Sequence, residues 1–154
     1  MNPVFPAAHF ELPIARSDFI DAHNAADAAV RRLLAVLNIG QKQLLSQNID
    51  TLEKVAANPQ YSKQRKAKVD ILLAELRGFQ AVRCDIVHGR MEVLMVDGSA
   101  QALFGNVQRQ PPVGVCGLLL TLEQIKGCTA RLSHIAIELS RPLVPAPPKP
   151  AASE

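Results

Sequence analysis

The residues best suited to chemistry are an arginine and a histidine, Arg83 and His88, separated by four residues at the end of a long helical pattern. A histidine side chain, whose ordinary pKa is close to neutrality, can take a proton from a ribose 2′-hydroxyl or deliver one to a leaving 5′-oxygen. An arginine can hold the scissile phosphate through two parallel N–H bonds and stabilise the charge that develops on it. The pair therefore matches RNA cleavage without a metal ion.

Arg83 interrupts the apolar stripe of the helix that positions it. Apolar residues recur there at steps of three and four, at Val69, Leu72, Leu76, Phe79 and Ile86. Because an unpaired buried charge is too costly, Arg83 must reach solvent, pair with a carboxylate or face a polar cleft. A structural interpretation also stays open, in which Arg83 pairs with Asp85 or another carboxylate and His88 complements the negative end of the helix.

The periodicity of the chain predicts a mainly α fold, an up-down bundle of about four helices with a small β-hairpin or sheet between the third and last helices. Ser17, Ser62 and Thr121 are predicted to cap the first, third and last helices, and Thr121 forms a capping box with Gln124. The four helices are predicted over 17–40, 42–57, 63–87 and 122–140.

The β segment is predicted from one turn signal. Asp97-Gly98 separates the apolar runs 91–96 and 99–104, which is typical of a tight hairpin. A further short strand is predicted over 113–120. In domain terms, the sequence predicts an extended N-terminal arm over 1–16, a helical domain over 17–141, and a flexible proline-rich tail over 142–154.

The composition limits the class of protein. A net charge of +3 is too small to indicate a nucleic-acid binder by itself, although it permits local basic patches. The first residues lack the basic and apolar segments of a signal peptide, and no apolar run is long enough to span a bilayer. The odd number of cysteines, Cys84, Cys116 and Cys128, argues against a secreted disulfide framework. We therefore expect a cytoplasmic protein that does not enter membranes.

The sequence indicates neither a cofactor nor a metal. It contains no glycine-rich phosphate loop, and the spacings of its cysteines and histidines match no zinc pattern. His23 and His134, on the first and last helices, are expected to be packing or surface residues. The start of the third helix carries three cations, Lys63, Arg65 and Lys66. They form either a solvated face or a surface that contacts an RNA phosphate backbone. Arg90 is a further candidate for RNA contact.

The arginine-x4-histidine motif from Arg83 to His88, followed by a glycine and a hairpin, resembles the HEPN superfamily (higher eukaryotes and prokaryotes nucleotide-binding domains). Ribonuclease members of that superfamily carry such a motif at the end of a core helix. The resemblance implies a homodimer in which two motifs approach across one cleft, forming a metal-independent endoribonuclease that acts as a toxin or defence effector with an antitoxin partner. It also implies that Arg83 stabilises the phosphate and that His88 is the general acid or base.

This chain departs from the family at one position. Family members usually place asparagine, aspartate or histidine directly after the arginine, whereas this chain has Cys84 there and Asp85 one residue later. Asp85 is therefore the candidate for the role of that side chain. The alternative function is a non-catalytic HEPN-like dimer that serves as an interaction module or as a nucleotide- or RNA-binding module.

Overall fold

The computed structural model describes residues 7–105 and 117–143, and it confirms a mainly helical fold with a small antiparallel sheet between the third and last helices. Within these residues the elements are α1 (Ala8–Val36), α2 (Leu45–Glu53), α3 (Lys63–His88), β1 (Arg90–Val96), β2 (Ser99–Gly105), β3 (Gly117–Thr121) and α4 (Leu122–Leu139). Most of the predicted tail lies outside the described residues.

The N-terminal part of α1 corrects the sequence prediction. The helix begins at Ala8, so the predicted start at Ser17 is wrong, and the part of the arm over 1–16 that the structure describes is helical rather than extended. The reason is that the buried stripe of α1 continues back to Leu12, which is fully buried. Pro13 lies inside the helix on its exposed side, and the burial of the apolar stripe offsets the backbone hydrogen bond that the proline removes.

Helix α2 is shorter at both ends than the predicted range of 42–57, and at its start a side chain fixes the preceding segment as a loop. The buried amide of Asn48 accepts a hydrogen bond from the backbone N–H of Lys42 at 2.7 Å and donates one to the carbonyl of Lys42 at 3.0 Å. Leu44 is then extended, and the helix starts only at Leu45. This loop places the residues before α2 beside α1, where they contribute to the cavity described below.

The predicted starts of α3 and α4 are confirmed by their caps. The Ser62 side chain accepts the N–H of Arg65 at 3.2 Å. Thr121 and Gln124 form the reciprocal capping box, with distances of 3.1 Å and 2.9 Å. These caps fix the register of both helices.

The predicted hairpin is also confirmed. Asp97 and Gly98 both have positive φ angles, 48° and 79°, as a two-residue type I′ turn requires. Strand β2 pairs with β1 on one side and with β3 on the other, both antiparallel. The third strand is confirmed at Gly117–Thr121, while the beginning of its predicted range lies outside the described residues.

The core lies mainly between α1 and α4, with α3 and the inner face of β2 packed against them. Phe19, Leu34, Leu76, Phe104 and Leu132 are among its fully buried side chains. Over the part of the chain that the structure covers, no helix combines the length and the hydrophobicity that crossing a bilayer requires.

Candidate functional site

A polar cavity of about 380 Å³ lies between α1, the start of α2 and the C-terminal half of α3. Most of its lining is polar. The residues that line it are His23, Asn24 and Asp27 on α1, 43–46 at the start of α2, and Gln80, Arg83 and Cys84 on α3.

Arg83 faces this cavity. Its place in an apolar stripe left three environments open (solvent, a carboxylate partner or a polar cleft), and the cavity is the polar cleft. The side chain is half-buried, and its Nε is fully buried. Within residues 7–105 and 117–143, Arg83 Nε has no hydrogen-bond partner, and no carboxylate forms an ion pair with the guanidinium. A cation placed in this way is available to an anion that enters the cavity.

The carboxylate in the cavity wall does not neutralise Arg83, because it is already bound to a different arginine. Asp27 accepts hydrogen bonds from Arg31 on the next turn of α1, with Nε to Oδ1 at 2.9 Å and Nη2 to Oδ2 at 3.4 Å. Arg31 also donates to the backbone carbonyls of Lys42 and Gln43, at 3.0 Å and 2.9 Å. These bonds hold Asp27 in an ion pair with Arg31, and within residues 7–105 and 117–143 no carboxylate pairs with Arg83.

His23 is the histidine that shares the cavity with Arg83. It is only 4% exposed, and its Nε2 has no hydrogen-bond partner in the described part of the chain. Burial and the positive charge of Arg83 lower the pKa of His23 to about 4, against a smaller opposite effect of Asp27. The imidazole is therefore neutral at physiological pH. Gln80, one turn before Arg83, has a buried Nε2 that is likewise unpartnered among the described residues.

The buried position of His23 agrees with the packing position expected as one alternative, but sequence reasoning did not anticipate that His23 lines a cavity with Arg83. His23, Asn24 and Asp27 form a polar face beside the apolar stripe, with residues one and four positions apart. Because the polar face of a helix ordinarily meets water, this pattern did not distinguish a cavity wall from a solvated surface.

His88 and Asp85 lie outside the cavity. His88 is the last residue of α3 and is exposed to solvent. Asp85 is 7% exposed, and its backbone carbonyl accepts the N–H of Gly89 at 2.8 Å. Within one chain, the structure therefore brings Arg83 together with Cys84 and His23 but not with the other two predicted site residues.

The C-terminal end of α3, which positions His88, is held by an arginine that the sequence did not reveal. Arg16 on α1 donates from Nε to the carbonyl of Ile86 at 3.0 Å and from Nη2 to the carbonyls of Val87 and Gly89, both at 3.3 Å. A cation at this end of a helix also interacts favourably with the helix dipole. The same guanidinium lies 5.9 Å from the centre of the Phe104 ring.

Gly89, which ends α3, is fixed by close packing. Its backbone is extended (φ −77°, ψ 141°) rather than left-handed. A Cβ at this position would lie 2.3 Å from the carbonyl oxygen of Asp85 and 3.2 Å from the Cβ of Phe104. The glycine after His88 therefore permits the turn from helix into β1.

The basic residues predicted to contact RNA divide into two groups. Arg65 donates from Nη2 to the carbonyls of Glu138, Leu139 and Arg141, at 2.7, 3.4 and 3.3 Å, and so caps the C-terminus of α4. Lys66 binds Asp70 and the carbonyl of Glu53, each at 2.9 Å.

Lys63 and Arg90, by contrast, are exposed, and Arg90 lies 3.7 Å from Glu92 in a surface ion pair. All four lie outside the Arg83 cavity.

No cluster of three or more histidine, cysteine, aspartate or glutamate side chains in the described ranges is arranged to hold a metal ion. Comparison of the chain with protein-family models, curated proteins and solved structures returns no match.

Proposed function

We propose that the protein is a metal-independent endoribonuclease of the HEPN type that acts as a homodimer. The observation that carries the proposal is the state of Arg83. Its guanidinium faces an open polar cavity, its Nε is without a partner among the described residues, and the nearby carboxylate of Asp27 is bound to Arg31 instead. An RNA phosphodiester supplies the anionic oxygens that such a guanidinium binds best.

In the proposed reaction, the 2′-oxygen of a ribose attacks the adjacent phosphorus, and the bond from phosphorus to the 5′-oxygen breaks. Arg83 stabilises the charge on the phosphate as the transition state forms. His88 exchanges protons with the attacking or leaving oxygen. The products are a 2′,3′-cyclic phosphate and a 5′-hydroxyl.

The position of His88 supports a dimeric site. Because His88 is exposed at the end of α3 and does not line the cavity of its own chain, a second copy is needed to bring a His88 side chain to the cavity that contains Arg83. Asp85, which we proposed as the substitute for the usual residue after the arginine, is buried, and we assign it the role of orienting groups around the end of α3. In the cell, such a nuclease would act as a toxin or defence effector that an antitoxin restrains.

One observation favours a second function. Since His88 and Asp85 both lie outside the Arg83 cavity, the same geometry suits a non-catalytic dimer that binds RNA or a nucleotide through Arg83. That alternative predicts binding that depends on Arg83 without any cleavage.

The experiment is incubation of the purified protein with a mixed RNA pool in EDTA, beside Arg83→Met, His88→Gln and the control variant His134→Gln. His134 is a suitable control because it is an exposed histidine on α4, away from the cavity. We expect wild type and control to leave 2′,3′-cyclic phosphate ends, and the Arg83 and His88 variants to be slower by about a hundredfold or more.

Cleavage that persists in both variants would refute the nuclease proposal. Absence of cleavage by the wild-type protein, together with RNA binding that Arg83→Met abolishes, would establish the binding module instead.

A further inference from the structure

Three buried polar atoms without hydrogen-bond partners among the described residues belong to side chains that line the Arg83 cavity. They are His23 Nε2, Gln80 Nε2 and Arg83 Nε. Buried polar groups in folded proteins are almost always hydrogen-bonded, and leaving one unpaired costs about 1–3 kcal/mol. The three groups belong to the wall of one cavity, and a polar ligand that enters it and draws these side chains toward itself would satisfy them.

The chemistry of the three groups limits what that ligand is. Arg83 Nε–H and the amide Nε2 of Gln80 are hydrogen-bond donors, and they lie one turn apart on α3. Two donors, one of them charged, suit the oxygens of a phosphate. His23 faces them from α1, and as a neutral imidazole it can accept a hydrogen bond from a hydroxyl group.

The size of the cavity fits the same ligand. Its volume of about 380 Å³ falls within the range of about 300–1,000 Å³ that small-molecule sites occupy. A phosphate with its attached ribose is of this scale, whereas a helical RNA segment cannot enter.

We infer that the cavity is a subsite for one ribonucleotide of the RNA substrate, in which Arg83 and Gln80 bind the 3′-phosphate and His23 Nε2 accepts a hydrogen bond from the 2′-hydroxyl. The inference rests on the proposed function and deepens it, because it assigns two further substrate-contacting residues and a reason to select RNA over DNA. His23 orients the 2′-oxygen toward the phosphorus, and deoxyribose offers no hydroxyl for it to hold.

The test uses the full chain and calorimetric titration with two sets of probes, the four ribonucleoside 3′-monophosphates and the four 2′-deoxyribonucleoside 3′-monophosphates. For the wild-type protein we expect at least one ribonucleotide to bind about tenfold more tightly than its deoxy counterpart, the equivalent of one hydrogen bond. Gln80→Met is expected to weaken both sets equally.

Two variants of His23 separate its chemical role from a packing role. His23→Phe removes the acceptor and is expected to abolish the preference for ribose while binding of the deoxynucleotides is retained. His23→Gln keeps an acceptor oxygen at a similar distance and is expected to preserve part of the preference. His134→Gln is the matched control and is expected to behave as wild type.

The inference is overturned if the wild-type protein binds neither set, or if His23→Phe keeps the full preference for ribose. Failure of the proposed nuclease gives a different result. In that case nucleotide binding depends on His23, Gln80 and Arg83 as expected, but RNA is not cleaved. Conversely, RNA cleavage that needs Arg83 and His88 but is unchanged in His23→Phe leaves the nuclease standing and refutes the role of His23.

Discussion

The two ends of α3 both carry cations, but the partners of those cations differ. At the N-terminal end, Arg65 caps the last carbonyls of α4 and Lys66 binds Asp70 and a carbonyl of α2, so both bind other parts of the protein. About five helical turns later, Arg83 has no such partner within the described residues. The first group stabilises the fold, whereas the unpartnered state of Arg83 is the basis of our proposal that its cavity binds an anion.

Arg65 shares one feature with Arg83, since its Nε is also buried without a partner in the described ranges. The Nη2 of the same guanidinium nevertheless donates to three carbonyls, and its shortest bond, to Glu138, is 2.7 Å. Among the residues that the structure describes, Arg83 makes no comparable bond. The two arginines therefore offer a matched pair for mutation.

The largest effect on stability is expected from substitution of Arg65, the arginine that caps α4. Arg65→Met removes hydrogen bonds between a charged donor and the end of α4, so we expect it to lower the free energy of unfolding by about 2–3 kcal/mol. Arg83→Met replaces a charge that has no ion-pair partner in the described part of the chain by an apolar side chain, and we expect no loss or a small gain. Urea denaturation of both variants beside wild type measures the difference. A loss in Arg83→Met as large as that in Arg65→Met would mean that Arg83 is structural.

A smaller effect is expected from pH, through the histidine that Arg83 faces. Because the pKa of His23 is about 4 in the folded protein and its ordinary value is 6.5, the unfolded chain takes up this proton first as the pH falls. The contribution is therefore complete above about pH 6.5 and is lost progressively down to pH 4, by at most about 1.4 kcal/mol for each unit of pH.

His23→Gln isolates this contribution. The charged or titratable groups that line the cavity with His23 are Arg83 and Cys84 on α3 and Asp27 on α1, and all three remain in the variant. The stability that is lost when carboxylates elsewhere in the protein are protonated is the same in wild type and in His23→Gln. We expect the unfolding free energy of the variant to fall less than that of wild type between pH 6.5 and 4. Parallel curves in this interval would contradict the burial of a neutral His23.

The smallest effects are expected from the exposed cations. Lys63→Gln and Arg90→Gln are each expected to change stability by less than about 0.5 kcal/mol, since both side chains are in solvent. If RNA contacts either end of α3, each substitution reduces by about one the slope of the logarithm of the RNA-binding constant against the logarithm of the salt concentration. Binding measured against salt concentration tests this, and an unchanged slope in both variants would remove Lys63 and Arg90 from the RNA contact.

Much of the fold was predictable because its signals are local. The caps at Ser62 and Thr121 and the Asp97-Gly98 turn depend only on neighbouring residues, and all three are confirmed. The predicted start of α1 was wrong because the proline signals in the N-terminal segment were given more weight than the continuation of the apolar stripe through Ala15 to Leu12, both of which are buried.

The candidate site was less predictable because its parts are distant in sequence. The place of Arg83 in an apolar stripe correctly limited it to three environments, and the structure selected the polar cleft. The identity of the residues opposite it did not follow, since His23 lies sixty positions away and nothing local distinguishes a histidine in a cavity from one in a core. Arg16, seventy positions from its first acceptor, was hidden for the same reason.

The most direct test of the Arg83 site is the nuclear magnetic resonance signal of its Nε–H group, which Arg83→Met identifies by its disappearance from a ¹⁵N-labelled sample. On titration with the ribonucleoside 3′-monophosphates we predict that this resonance shifts and saturates, because the phosphate becomes the partner that Arg83 Nε lacks among the described residues. The Nε–H resonance of Arg65, assigned in the same way, is predicted to stay in place. An Arg83 resonance that is unmoved at saturating nucleotide would contradict the central claim that this cavity binds phosphate.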